Sequence, residues 1–420
     1  MLTRLLPPDK IVNYIVLFGA FFNALLAFMN ANFMNIGTTH VIICELLTVG
    51  AAGFVILQRY RPFMQPWAYF AALFFVLFIF LSIINGFPNV KAFRDILLIS
   101  TFGLLGACYR GNIIQLITFS VYLVLIFAFW EGFMTDSFLS LFNPGKYYFN
   151  TRGIGEMEDA LGAEAVLFKN AGRYTGRFSL GIFDMHRLSS LFMEQTSLGT
   201  FNMFLTMFTS SFWKYLSRHQ KILFPVTIFL LLGFVDSRLA IGIVGIVTAM
   251  HFVYRFIPAY MNLLYMPIAL ILCGIMFYDS QIVQMIDTLS GRIGWTMHLL
   301  ASVDMNALLG VSSGDTPNVA DSGYGYMIYF HSIIGMVAFW LFLALIIPQH
   351  HPVARYYAHH MTILLTLSLL LGAGIFSIKI TAFIWFTAGY IFAEMKRLEE
   401  QSEHHSAQHQ STDIHSAQVA

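Results

Sequence analysis

Apolar runs of bilayer-crossing length recur along the whole chain, and no other feature narrows its fold so far. The first, Ile11 to Met29, holds 19 residues without a charge, enough to cross the hydrocarbon as a helix. A secretory leader has a shorter apolar stretch, so Arg4 and Lys10 flank what reads as a retained first helix. Further windows fall near 40–57, 67–84, 96–109, 113–131, 190–213, 222–235, 239–257, 260–278, 325–347, 361–376 and 378–393. Within lipid a helix satisfies its own backbone. The expected fold is therefore an all-α polytopic membrane bundle of about twelve transmembrane helices. Composition agrees, with 58% hydrophobic and 11% charged residues, outside the range of soluble domains.

The windows divide the chain into N-terminal helices over 1–131, a large outer loop over 132–189, central helices over 190–278, a second outer loop over 279–324, C-terminal helices over 325–393 and a polar tail over 394–420. The tail is low in aromatics and reads as disordered. Positive charge collects in the short loops of one side, most clearly from Trp213 to Lys221, which places both termini in the cytoplasm. The outward exceptions are Lys91, Arg94, Arg238, Arg292 and Lys379. A net charge of +1 gives no reason to expect nucleic acid. Cys44, Cys108 and Cys273 fall in separate apolar runs, which argues against a disulfide framework. The tail histidines His404, His405, His409 and His415 are too irregularly spaced for a metal site, and Glu156-x-Glu158 is the nearest approach to a D-x-D motif. No metal and no cofactor are expected. No internal repeat is visible, unlike many secondary transporters.

Four constellations carry candidate chemistry. In Arg187-Leu188-Ser189-Ser190-Leu191-Phe192-Met193-Glu194, the cation and the carboxylate lie seven apart and would share a face of one helix. Burial of Glu194 in an apolar run would raise its pKa into the working range of a base, although an interfacial ion pair explains the spacing equally. Asp236-Ser237-Arg238 separates two apolar runs where only a tight turn fits. That turn is either simply solvated or directs the arginine fork at a phosphate. Ser290-Gly291-Arg292-Ile293-Gly294-Trp295 reads as an interfacial helix. Asp321-Ser322-Gly323-Tyr324 supplies a good helix N-cap leading back into the bilayer, ahead of His331 and Gly335. Candidate bases for a hydroxyl are Glu194, Asp321 and, third, His186. Arg187, Ser237, Ser322, Tyr324 and His186 are candidates to bind a pyrophosphate or glycan.

The order of these motifs, from Arg187 to Gly335, resembles the O-antigen polymerase and ligase superfamily, most closely Wzy-type exopolysaccharide and capsule polymerases. The resemblance implies a GT-C-like glycosyltransferase of the bacterial inner membrane, with its active site at the periplasmic face. It would polymerise undecaprenyl-pyrophosphate-linked oligosaccharide repeat units, with membrane lipid around it and a flippase and a chain-length-determining co-polymerase as partners. The family's essential arginines would correspond to Arg238 and Arg292. Ligases of the superfamily tend to carry His-Asn where this chain has Asp321-Ser322, which favours polymerase over ligase. A lipid-linked oligosaccharide flippase or transporter would also use arginines on pyrophosphate. It would place ionisable residues along a path through the membrane, where Glu45 is the notable one here.

Overall fold

The computed structural model describes residues 8–153, 171–172, 186–279, 282, 288–311, 319 and 321–419. Among them every regular element is helical. The first group is α1 (Pro8–Asn32), α2 (Thr38–Arg59), α3 (Gln65–Asn85), α4 (Val90–Cys108) and α5 (Ile113–Phe133), followed by the short α6 (Thr135–Phe142) and α7 (Pro144–Arg152). The second is α8 (Gln195–Phe212), α9 (Arg218–Val235), α10 (Arg238–Val253) and α11 (Met261–Phe277), then α12 (Leu289–Ala301) and α13 (Met305–Leu308). The last is α14 (Gly323–Leu345), α15 (Pro352–Leu369) and α16 (Ile378–Val419).

Seven of the described helices are long and apolar enough to cross a bilayer, and α10 and α11 are shorter apolar helices. Their outward faces suit lipid: Leu57 on α2 is 82% exposed and Ile275 on α11 is 78% exposed. An apolar belt of this kind is untenable in water. α4, α8 and α15 are not among the seven. They carry Asp95, Asn202 and the His359–His360 pair, all buried, so these helices are lined by protein where a lipid-facing helix would be apolar.

Polar capping residues set many starts. Asn89, Asn112, Ser237, Thr288 and Ser322 each accept a backbone N–H from the first turn of α4, α5, α10, α12 and α14. Ser217 and Gln220 form a reciprocal capping box on α9. Several boundaries differ from the hydropathy windows. α4 begins at Val90 and α15 at Pro352, ahead of their windows, because the polar residues near their starts, Asp95 on α4 and His359 and His360 on α15, are buried against protein rather than facing lipid. α8 begins only at Gln195, after a 3-10 turn over Ser190–Phe192. α6 and α7 lie within the first expected loop, and α12 and α13 within the second. α16 continues to Val419, so the segment expected as a disordered tail is helical. That stretch contains neither glycine nor proline, which are the strongest helix breakers.

Among the described helices α4 and α16 pack most extensively on each other, and they touch backbone to backbone. A methyl group on Gly389 would lie 1.8 Å from the Gly103 carbonyl oxygen, and one on Gly106 would lie 2.0 Å from that of Phe386. Small residues permit such an approach. Gly389→Ala should therefore force the two helices apart and destabilise the protein by about 1–3 kcal/mol, read as a lowered unfolding midpoint in detergent. An unchanged midpoint would refute the contact.

The bundle has two polar ends. One, the cap end, carries α6, α7, α12, α13 and the contacts joining the starts of α4, α8, α14 and α16. At the other, Arg59 of α2 meets Asp9 of α1, and Arg397 of α16 meets the carbonyls ending α4.

Candidate functional site at the cap end

The segment from His186 to Glu194 is not helical as a whole, so Arg187 and Glu194 do not share a helix face. It follows an irregular path in which Ser190 and Met193 adopt φ of 50° and 59°, the left-handed region that costs a non-glycine residue about 1–2 kcal/mol. Two buried charges hold it there. Glu131, in the last turn of α5, accepts the Ser189 and Ser190 N–H groups at Oε2, at 2.8 and 2.6 Å. Its Oε1 accepts the Ser189 hydroxyl at 3.0 Å and His186 Nε2 at 3.3 Å. Lys379, in the first turn of α16, donates to the Phe192 carbonyl at 3.0 Å, to the Tyr148 hydroxyl at 2.7 Å and to Glu194 at 3.1 Å. Strain over-determined in this way persists where the surroundings specify it.

Because a carboxylate only accepts, the bond to Glu131 places a proton on His186 Nε2, and in the neutral imidazole Nδ1 is then the acceptor. His186 is partly exposed. The next residues tie it to the α9–α10 turn: Arg187 Nε donates to the Val235 carbonyl at 2.6 Å, and the Leu188 N–H to the Phe234 carbonyl at 3.0 Å. In that turn Asp236 closes α9 with φ 47°, and Ser237 caps α10. Arg238 opens α10, half-buried, where the helix dipole also favours an anion. His186 and Arg238 thus stand on two segments bonded to each other.

The other arginine motif forms a pair. Arg292 Nη1 meets Asp321 Oδ1 at 3.1 Å, with both side chains about a third exposed. Asp321, expected as a candidate base, is thus held as the ion-pair partner of Arg292. Ser322 and Tyr324 do not reach any surface: Ser322 caps α14, and the Tyr324 hydroxyl donates to the Thr366 carbonyl at 3.0 Å. Their expected contact with substrate is not supported, and Arg187 is likewise buried against Val235.

Glu194 also departs from expectation. It lies ahead of α8 at the cap, with Lys379 on Oε2, Arg152 at 3.6 Å from Oε1 and the Ser197 hydroxyl at 3.0 Å. Burial pushes its carboxyl up, but the charges of Lys379 and Arg152, with the hydrogen bonds of Lys379 and Ser197, outweigh burial and hold it at about 2. Glu194 is an ion-pair anchor, not a carboxyl poised near neutrality. Arg152 lies over the Tyr148 ring at 4.7 Å and is more open to solvent.

A second network sits beside this one. Arg94 grips Asp95 Oδ1 through Nε and Nη2, at 3.0 and 2.6 Å, and reaches Glu45 at 2.8 Å. The Tyr326 hydroxyl donates to the other Asp95 oxygen at 2.8 Å. The sequence reading missed Glu131, Arg152, Asp95 and Tyr326, and took Lys379 only as an outward charge. Glu156, Glu158 and the side chains of His404, His405, His409 and His415 lie outside the described residues. Among the described residues no group of three or more His, Cys, Asp or Glu side chains is placed to hold a metal ion. In comparisons with protein-family models, curated proteins and solved structures, the chain matches none.

Proposed function

We propose that the cap end transfers a glycan from a lipid pyrophosphate to an acceptor hydroxyl. On this reading the chain is a membrane glycosyltransferase that extends undecaprenyl-pyrophosphate-linked repeat units into an exopolysaccharide or O-antigen-like polymer at the outer face of a bacterial inner membrane, with both termini in the cytoplasm. The observation that carries the reading is the bonding of the His186 segment both to Glu131 and to the turn bearing Arg238. It brings an oriented imidazole and an arginine at a helix start into one neighbourhood.

In the proposed step, the acceptor hydroxyl gives its proton to His186 Nδ1 and its oxygen forms a bond to the anomeric carbon. The bond from that carbon to the pyrophosphate oxygen breaks, and the electron pair leaves with the lipid pyrophosphate. Glu131 stabilises the imidazolium that results. Arg238 and Arg292 meet the charge that develops on the departing oxygens, the role a divalent ion fills elsewhere. A single displacement inverts the sugar carbon. The position of Asp321 against Arg292 makes it an orienting partner for that guanidinium.

His186→Gln keeps the hydrogen bond to Glu131 but cannot take the proton. It should bind the lipid-linked repeat normally and turn over roughly 100- to 10,000-fold more slowly. Unchanged turnover would remove the histidine from the reaction.

A transport reading draws on the Glu45–Arg94–Asp95 network, which places ionisable groups within α2 and α4. Reconstitution in vesicles separates the two. Transfer yields elongated glycan on lipid that stays in its leaflet. Lipid-linked repeat moved to the opposite leaflet without elongation would instead support transport, with a flippase or ligase role to be tested next.

A further inference from the structure

The end opposite the cap holds a second concentration of arginines, which the transfer reading does not use. A cavity of about 1230 Å³ opens there between the start of α1, the α2–α3 connection, the end of α4 and α16. Arg59, Arg61, Arg110 and Arg397 line it, against Asp9, Glu394 and Glu400.

Two of the arginines are committed to the framework. Arg59 bridges the Asp9 carboxylate at 3.0 Å and the Cys108 carbonyl at 3.3 Å. Arg397 binds Glu394 and donates to the carbonyls of Ala107 and Tyr109, at 3.2 and 3.4 Å. Those carbonyls terminate α4, where the helix dipole is negative, so both guanidinium groups are explained without a ligand.

Arg61 and Arg110 are different. Both are exposed, and among the described residues neither side chain has a hydrogen bond or an ion pair. The floor beneath them is apolar. Met64 is 1% exposed, and its sulfur lies 3.9 Å from that of Cys108. Arg61 lies just past the end of α2, four residues beyond the lipid-facing Leu57, so the arginine rim stands at the depth where hydrocarbon gives way to headgroups. A cationic rim at that depth over an apolar floor suits a phosphate that arrives attached to acyl chains.

We propose that this cavity binds the headgroup of an acidic phospholipid, with its phosphate between Arg61 and Arg110. The site is independent of glycan transfer. Basic pockets between membrane helices recognise lipid phosphates in this way. Glu400 lines the same cavity without a partner among the described residues. It opposes the ligand's charge and sets a sign that the test can read.

The test uses the full chain in a neutral detergent, titrated with short-chain phosphatidylglycerol or phosphatidylcholine, with bound lipid counted by native mass spectrometry. Wild type should prefer phosphatidylglycerol, and the Arg61→Gln/Arg110→Gln double variant should lose affinity for it about tenfold. Glu400→Gln removes no cation and should tighten binding. Equal binding of the two lipids, or an unchanged preference in the double variant, would overturn the proposal. Displacement of the lipid by inorganic phosphate at equal concentration would overturn it too, by assigning the cavity to the free anion.

Discussion

Lys379→Met should cost about 3–5 kcal/mol of stability, the usual penalty for removing one partner of a buried ion pair. Methionine fills nearly the same volume, so the loss is one of charge rather than packing. Among the described residues it would leave Glu194 with Arg152 at 3.6 Å and the Ser197 hydroxyl, and it would free the Phe192 carbonyl beside the left-handed Met193. Thermal unfolding in detergent reads the effect. Pairing it with Glu194→Gln should recover a large part, because the stranded charge is then gone. A single variant as stable as wild type would show that the ammonium does not hold this turn. The linkage has a definite sign. The carboxyl of Glu194 is depressed from 4.5 to about 2, so its contribution is present in full above pH 4.5 and is lost as pH falls towards 2.

Arg238→Lys should lower turnover of a lipid-linked repeat by roughly 100- to 1000-fold, the cost of losing a preorganised donor on a developing oxyanion. Charge is preserved in this variant. What is lost is the planar fork, which meets two phosphate oxygens at once where an ammonium offers a single point. Ser237 still caps α10, so folding should be unaffected and protein levels normal. Arg292→Lys should behave similarly but less severely, since Asp321 already occupies one face of that guanidinium. If both variants retain wild-type turnover, neither arginine stabilises the leaving group.

Much of the helical layout could be read from the chain because lipid demands apolar length, and α1, α3 and α5 advertise it. The turn at Asp236–Arg238 was equally plain, a polar triplet between two apolar runs with room for nothing longer. Hydropathy fails where protein replaces lipid as the neighbour. His359 and His360 are buried in α15, so that helix starts nine residues before its apolar window. The site was half-visible. Arg238, Arg292 and His186 stood out as costly or chemically able residues, but their surroundings did not. Glu131 reads as the polar end of a span, yet it anchors Ser189 from 58 residues away, and Lys379 meets Glu194 from 185 residues away. Such pairings depend on which helix ends the topology brings together, and local spacing carries no trace of them. That is why Glu194 looked like a desolvated base until its two cations were placed beside it.

Glycan transfer at the cap end is the centre of this account, and one incubation tests it most directly. Purified protein is mixed with synthetic undecaprenyl-pyrophosphate repeat units, without nucleotide sugars or added divalent ions, and the products are separated by size. The account predicts a ladder of lipid-linked products spaced by one repeat, formed with release of undecaprenyl pyrophosphate. Native repeat units recovered unchanged, with protein shown to be folded, would contradict it.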